Sequence, residues 1–436
     1  MKKRFYLSLV LFSLLGQIAW VVENMLFNDF ISMEFSAKPF HIALMVSLSA
    51  IVATITTLFV GAFSDKKGKR KKFIWIGYIL WGISICAFAL LNTKTLQKVF
   101  PLEKCALIGV SLTITLDCIM TFFGSTANDA CFNSWLTDMS DHTNRGKVEG
   151  INSMMPLIAV LVVFGALYPL QENYSWSVGF LITGGLTILA GVLGIFTLEE
   201  SHATPSKEEH YYQQIFYGFK ISSMKKNPIL YWIYLAFAIF GIAIQIFMTF
   251  LIPYYKSFVG DNYVFIMAFA IVIAAIVTFF YGRLYDRFHF KKTILPSLGI
   301  LLLGLVMLSF TFFTQNVIYI FIGSLFMMTG YLCSMAIFNA KMRDHTPSDK
   351  VGAFQGIKMF SQVLIPMLIG PWIGAVSVSG NFDYNMENVL YPAGYTYTIH
   401  PSIFIAASVV TLFAVLPLIK VFSLEKKEKE EISPNT

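Results

Sequence analysis

The chain has 436 residues, 56% of them hydrophobic, 16% aromatic and only 13% charged, with a mean hydropathy of +0.67 and a formal net charge of +7. A soluble domain carries roughly 25% charged residues, so this composition excludes a water-soluble globular enzyme, and so much apolar surface excludes a disordered chain. The apolar runs are continuous for about twenty residues, as a spanning helix requires, and lack the alternation of a β-barrel strand.

The predicted elements are twelve helices, at 6–32, 41–63, 73–93, 105–136, 148–170, 176–197, 229–255, 262–282, 294–314, 316–340, 353–378 and 401–419. The start, Met1-Lys2-Lys3-Arg4 before an apolar run, imitates a secretory signal but lacks a small-x-small cleavage site, so a retained first helix is expected. In that helix Gln17, Trp20, Asn24 and Asn28 share one face, and Glu23 borders it. A Trp beside amides and a carboxylate suits a sugar, the ring covering an apolar sugar face while polar groups take hydroxyls. An interfacial Trp with amide-mediated helix packing fits the same pattern. Asp29 is expected near the outer rim, where solvation is cheap.

The second helix contains no acid between His41 and Gly61. In the fourth, Asp117, Gly124 and Asn128 recur near the helical period, which predicts a polar, partly small face lining a cavity, with Asp129 about a third of a turn away. A carboxylate at the bilayer centre costs at least about 2.5–3.5 kcal/mol, so each requires a partner or a task. For Asp129 these are a coupling cation or proton, or a structural basic partner from the loop; Asp117 has the same two readings.

Residues 198–228 form the longest polar interruption and divide six spans from six. The expected organisation is an N-terminal bundle over 1–197, a cytoplasmic linker over 198–228, a C-terminal bundle over 229–423 and a disordered tail over 424–436. Tyr211–Phe219 reads equally as a short surface helix or a solvated tether. In the second half, Gln245 of the seventh helix, Tyr331 of the tenth, and Lys358 and Gln362 of the eleventh are candidate substrate contacts. Gln355, Lys358 and Gln362 lie on one face, with Pro366 loosening the helix beyond them. Lys358 either counters Asp129 or an anionic substrate, or snorkels to the surface. The segment 380–400 is the one long outer connection.

Two signatures occur twice in the same order. Gly61-x-x-x-Asp65 with Lys66, Arg70 and Lys71 returns as Gly282-x-x-x-Asp286 with Arg287, Lys291 and Lys292. Phe132-Asn133 … Asp138 … Gly146 … Gly150 returns as Phe338-Asn339 … Asp344 … Gly352 … Gly356. Two copies of one helical unit are implied, with any substrate path expected at the seam between them. Of 32 Lys and Arg, twenty-six fall on the side of the termini, five (Lys38, Lys94, Lys98, Lys104, Lys256) on the other, and Lys358 inside a span. Positively charged loops stay in the cytoplasm, so the basic excess reflects topology and not nucleic-acid binding, and both termini are expected inside. The five cysteines lack metal or redox spacing, and no Walker sequence, dinucleotide fingerprint or nucleophile elbow appears.

The run Gly61–Lys72 resembles the loop between helices 2 and 3 of the major facilitator superfamily, and Arg145-Gly146-Lys-Val-Glu-Gly150 resembles its connection from helix 4 to helix 5. The resemblance covers the whole chain and implies an all-α integral membrane protein of twelve transmembrane helices in two pseudo-symmetric six-helix bundles. Within it, Gly61 allows close helix approach, Asp65 can accept backbone N–H groups at a helix start, and Arg70 and Arg145 can pair with Asp65 or Asp138. With Asp286, Arg287 and Asp344 these residues form expected latches that hold the cytoplasmic ends of the bundles in one state and release them in another. Asp129, Phe132 and Ser134, followed by Arg145, resemble the helix 4 pattern of the glycoside-pentoside-hexuronide:cation symporter branch, and Phe27-Asn28-Asp29 resembles its aromatic-x-Asp. The acids that sodium-coupled members carry in helix 2 have no counterpart here.

The resemblance therefore implies a secondary transporter that moves a sugar or glycoside with H+ or Na+ by alternating access. It would be a monomer in a bacterial cell membrane, with no cofactor, metal or enzymatic activity. An exporter of amphipathic compounds and a non-transporting membrane sensor are the competing readings.

Overall fold

A computed structural model describes residues 3–140, 145–201, 216–260, 263–314, 316–347, 351–379 and 400–432. In hydrocarbon each backbone N–H and C=O needs an internal partner, which a continuous apolar run supplies only as a helix. Among the described residues there are accordingly no strands. Twelve helices are long and apolar enough to cross a bilayer: α1 (Lys3–Phe35), α2 (Pro39–Ser64), α3 (Lys71–Leu90), α4 (Leu102–Met139), α5 (Met154–Gln171), α6 (Trp176–Thr197), α7 (Pro228–Met248), α8 (Tyr263–Tyr285), α9 (Arg287–Ser309), α10 (Val317–His345), α11 (Gly356–Val378) and α12 (Ser402–Glu428).

The described residues divide into two compact units, one up to residue 201 and the other from residue 216. In the first, a Cβ added to Gly16 would sit 2.1 Å from Asn128 Nδ2 and 2.6 Å from the Tyr78 hydroxyl, so only glycine lets α1 seat on α3 and α4 there. In the second, a Cβ at Gly330 would fall 2.2 Å from the Leu301 nitrogen, which sets the close approach of α9 and α10. Small residues at such contacts are how membrane helices gain packing without a hydrophobic driving force. Gly61 is a different case: an added Cβ would meet only Ala130 Cβ at 3.9 Å, and at Gly282 it would meet nothing within 4 Å among the described residues. The duplicated glycines do not mark the tight helix approach expected of them.

Among the described residues, four spans contain a π-helical turn: Val22–Leu26 in α1, Ser125–Phe132 in α4, Val163–Leu167 in α5 and Phe360–Leu364 in α11. Such turns insert an extra residue per turn, re-aim the side chains that follow, and concentrate at functional positions. Three of them carry Glu23, Asp129 and Gln362.

Several connections differ from expectation. The expected loop after α8 is helical, and α8 runs on into α9, whose first turn is kinked at His289, with a φ of 62° and ψ of 178° in a region that favours glycine. The tail expected to be disordered continues α12, whose second helical segment runs Val415–Ile432 and fastens to α10 through an ion pair between Glu425 and Lys341. Both ends of the expected tether are docked. Leu198 and Ser201 are buried on the first unit, while in the second Tyr217 meets the ring of Phe354 at 5.8 Å and Phe219 that of Phe360 at 5.6 Å. Of the stretch Tyr211–Phe219, the described part holds a single 3-10 turn at Tyr217–Phe219, and a short helix follows it at Ile221–Lys226; residues 211–215 and the segment 380–399 lie outside the described residues.

Candidate functional site

The polar groups of α1 and α4 meet inside the first unit. Glu23 is 7% exposed, and its Oε1 accepts the Ser49 hydroxyl of α2 at 2.7 Å and the Thr121 hydroxyl of α4 at 2.9 Å. Ser49 and Thr121 also lie 2.8 Å from each other, so three oxygens form a closed triangle. The two hydroxyls supply two hydrogens for these three contacts. The third contact becomes a hydrogen bond only when Glu23 itself carries a hydrogen.

Asp117, 2% exposed, lies one helical turn before Thr121, faces the Ser49 hydroxyl and is close enough to Glu23 for the two carboxylates to repel. One oxygen of each acid, Glu23 Oε2 and Asp117 Oδ1, is buried with no hydrogen-bond partner among the described residues. Burying a carboxylate oxygen unpaired is costly unless a proton or cation neutralises it. Two carboxylates sharing one apolar space cannot both stay ionised cheaply. The cluster is built to hold one positive charge or lose one negative charge.

Asp129 lies apart from this triangle. It is half-buried, accepts the Ser125 hydroxyl at 3.0 Å and takes the indole N–H of Trp20. Trp20 in turn packs against Trp81, ring centroids 5.1 Å apart. Asn24 is exposed and donates to the Trp20 carbonyl at 2.8 Å, while Gln17 is half-buried on the same helix. Of the candidates on α1 and α4, Gln17, Trp20, Asn24 and Asp129 thus keep accessible surface.

Other candidates are engaged in packing. The α4 face expected to line a cavity is closed: Gly124 abuts the Trp81 ring, and Asn128, 3% exposed, donates to the Tyr78 hydroxyl at 2.6 Å, which donates to the Phe12 carbonyl at 2.7 Å. The Asn128 carboxamide therefore ties α4 to α3 and α1 and does not face an open space. Glu23, expected as a substrate contact, is turned inward onto Ser49 and Thr121. Asp29 is not at a solvated rim; it is 1% exposed and takes the Tyr168 hydroxyl at 3.3 Å.

In the second unit, Gln362 donates to Asn339 Oδ1 at 2.8 Å, Tyr331 stacks on Phe240 at 6.4 Å, and Gln245 packs its Cβ against Gly370. Lys358 is half-buried, and its carbonyl accepts the Ser361 hydroxyl at 2.9 Å.

Of the expected latch groups, Arg70 is 5% exposed, and its Nε donates to Asp138 Oδ2 at 2.6 Å and its Nη1 to the Ser64 hydroxyl at 2.7 Å. Glu200 Oε1 accepts the backbone N–H groups of Arg70 at 3.0 Å and Lys71 at 3.2 Å, capping the start of α3. All of these groups belong to one unit, so the contact binds helices within a bundle. In the second unit Asp344 takes the Tyr285 hydroxyl at 2.6 Å and Arg287 lies over Phe288 at 5.2 Å. The side chains of Asp65, Arg145 and Asp286 lie outside the described residues.

Ser49, Thr121, Tyr78 and Trp81 were not singled out from sequence. Hydroxyls and aromatics are frequent in apolar helices, and nothing in their spacing distinguishes those that meet an acid from those that meet lipid.

The model of the Major Facilitator Superfamily matches residues 7–371, most of the chain and both units. The chain belongs to the Major Facilitator Superfamily. This is a family of membrane transporters and not of enzymes, so the twelve spans are those of a transporter of small molecules. Over 193 residues this superfamily member is 27% identical to sugar efflux transporter B of Salmonella typhimurium, covering 44% of this chain and 45% of that protein. Over 188 residues it is 24% identical to sugar efflux transporter A of Dickeya chrysanthemi, covering 43% and 44%. The chain thus spans less than half the length of these curated relatives. Among solved structures it is similar to a D-xylose-proton symporter, at a TM-score of 0.70 and 15% identity over 94% of this chain and 96% of that one. It is also similar to the nucleoside transporter NupG, at 0.66 and 14% identity over 98% and 100%. At these identities the likeness establishes the facilitator fold.

Proposed function

We propose that this protein is a secondary active transporter that moves a sugar or glycoside across a bacterial cell membrane, coupled to H+ or Na+ by alternating access. The buried Glu23–Asp117 pair carries the coupling half of this reading: two carboxylates with orphaned oxygens beside a hydroxyl triangle that is one hydrogen short. A proton on Glu23 completes the triangle; a sodium ion would find carboxylate and hydroxyl oxygens in the same place. The sugar half is supported by Trp20, Asn24 and Gln17, with Asp129 held by the Trp20 indole so that the ring and the carboxylate present together. The partial likeness to two proteins called sugar efflux transporters supports the same substrate class. It also favours a second reading of direction, export and not uptake.

The resemblance of Asp129, Phe132 and Ser134 to the glycoside-pentoside-hexuronide branch is compatible with this reading, and both termini are assigned to the cytoplasm by the Lys and Arg bias. Arg70–Asp138 is taken to be made in one transport state and broken in another. Lys358, Gln362, Gln245 and Tyr331 are assigned to the substrate path of the C-terminal bundle.

The test is transport of labelled mono- and disaccharides in proteoliposomes under imposed proton or sodium gradients of either direction. Gradient-driven accumulation is expected for the parent protein, downhill exchange without accumulation for Glu23→Gln, and weakened sugar affinity for Trp20→Ala. No saturable sugar flux under any gradient, with extrusion of lipophilic cations instead, overturns the reading. Unaltered gradient-driven accumulation in Glu23→Gln and in Asp117→Asn removes the pair from coupling and leaves Asp129→Asn as the variant that decides.

A further inference from the structure

At the junction of α8 and α9 the second unit holds a cavity of about 1440 Å³, bounded by the ends of α8 and α10 and by the terminal helix. Its wall carries Arg287, Lys291, Lys292, Lys341 and Lys426, with Phe422 among the rings between them. The three acids on the wall are already engaged. Glu425 pairs with Lys341, Glu430 lies 3.6 Å from Lys426, and Asp344 takes the Tyr285 hydroxyl. Arg287, Lys291 and Lys292 have no carboxylate within salt-bridge distance among the described residues; Arg287 lies over Phe288 and Lys291 over Phe422, at 5.2 and 5.5 Å.

Like charges converge on one concave space only at a cost that an anion offsets. The residues on both sides of the His289 kink, Arg287 to Lys292, line the same space. The strained backbone of His289 is what turns Lys291 and Lys292 away from the line of α8.

We propose that this basin binds a phosphate-bearing anion, such as the headgroup of an acidic phospholipid. Tetrahedral phosphate oxygens match point charges from Lys and a guanidinium approaching from several sides. The Lys and Arg bias puts these residues at the cytoplasmic leaflet, where acidic headgroups are concentrated. The proposal is independent of the transported substrate and of the coupling ion.

The experiment uses the full-length protein in neutral detergent, titrated with dihexanoyl phosphatidylglycerol, dihexanoyl phosphatidylcholine or inorganic phosphate, with binding read from tryptophan fluorescence and thermal unfolding. Saturable binding of phosphatidylglycerol and weak binding of phosphatidylcholine are expected. The Lys291→Gln/Lys292→Gln variant should lose affinity by about thirtyfold, whereas Lys66→Gln/Lys67→Gln, in the first unit's copy of the signature, should change it less than about twofold. Lys291→Arg/Lys292→Arg should retain binding and serves if the neutral variant does not fold. Inorganic phosphate competing at similar affinity keeps the anion site and assigns it to a free phosphate compound. No saturable anion binding, equal affinity for both lipids, or equal losses in the two Lys→Gln variants overturns the proposal.

Discussion

The two copies of the basic loop signature end in opposite arrangements. In the first unit Arg70 is buried, its guanidinium shared between Asp138 and Ser64 while Glu200 caps the helix it begins. In the second unit the place of Arg70 is taken by Lys291 and the place of Ser64 by Tyr285. Tyr285 donates to Asp344, so the acid that would have claimed a cation is satisfied by a neutral hydroxyl, and Lys291 is left over the Phe422 ring. One copy closes around a planar five-donor fork; the other, with a point charge in its place, stays open. Two substitutions inside a conserved-length repeat decide whether it becomes a lock or a basin.

The closed copy breaks first. Arg70→Ala leaves Asp138 and Ser64 without their cation in a largely buried setting, and removing one partner of such a pair costs about 3–5 kcal/mol. A marked fall in unfolding temperature, or loss of the monodisperse peak on size exclusion in detergent, is the expected result; an unchanged transition would mean that Arg70 is not a structural lock. In the open copy the corresponding restraint comes from the tail. Glu425→Ala strips Lys341, whose side chain is 10% exposed, of its carboxylate and should destabilise by about 2–3 kcal/mol. Added protease should then cleave the terminal helix faster than in the parent, and equal cleavage rates would show that the pair does not hold it.

A graft sharpens the contrast further. Tyr285→Ser with Lys291→Arg rebuilds the first-unit set, and the new guanidinium should capture Asp344, stabilising by about 1 kcal/mol and reducing anion binding in the basin. If anion affinity is undiminished, position and not residue type keeps the basin open. The mildest test is Tyr285→Phe: Asp344 is exposed, so loss of that hydrogen bond should cost only about 0.5–1.5 kcal/mol in chemical denaturation. A larger loss would show that Asp344 is more enclosed than its exposure suggests.

The contrast between the copies also marks where sequence reasoning stops. Apolar run length locates all twelve spans because the bilayer leaves the backbone one solution, and the spacing of Asp138 and Asp344 is visible as a repeat. The outcome at each acid is not, since it depends on whether Arg70 or Tyr285 reaches it. The candidate site behaves likewise. Periodicity puts Glu23 beside Trp20 and Asp117 on the Asn128 line, but the π-helical turns at Val22–Leu26 and Ser125–Phe132 shift the faces on which those side chains emerge. Glu23 consequently turns to Ser49 and Thr121, Asn128 to Tyr78, and Asp129 to Trp20. The helical tail is hidden for a related reason: its balanced charges carry no apolar stripe, and the ion pair of Glu425 is made with Lys341, a residue far away in sequence.

By itself the sequence determined the helical class, the spans, the internal duplication and the charge bias, because each follows from local composition acting against a hydrocarbon solvent. Only the tertiary structure decided which acids share an enclosed space, which cations are locked and which remain around a cavity. Those outcomes depend on contacts between helices, where one hydroxyl or one guanidinium in reach changes the partner of a buried charge.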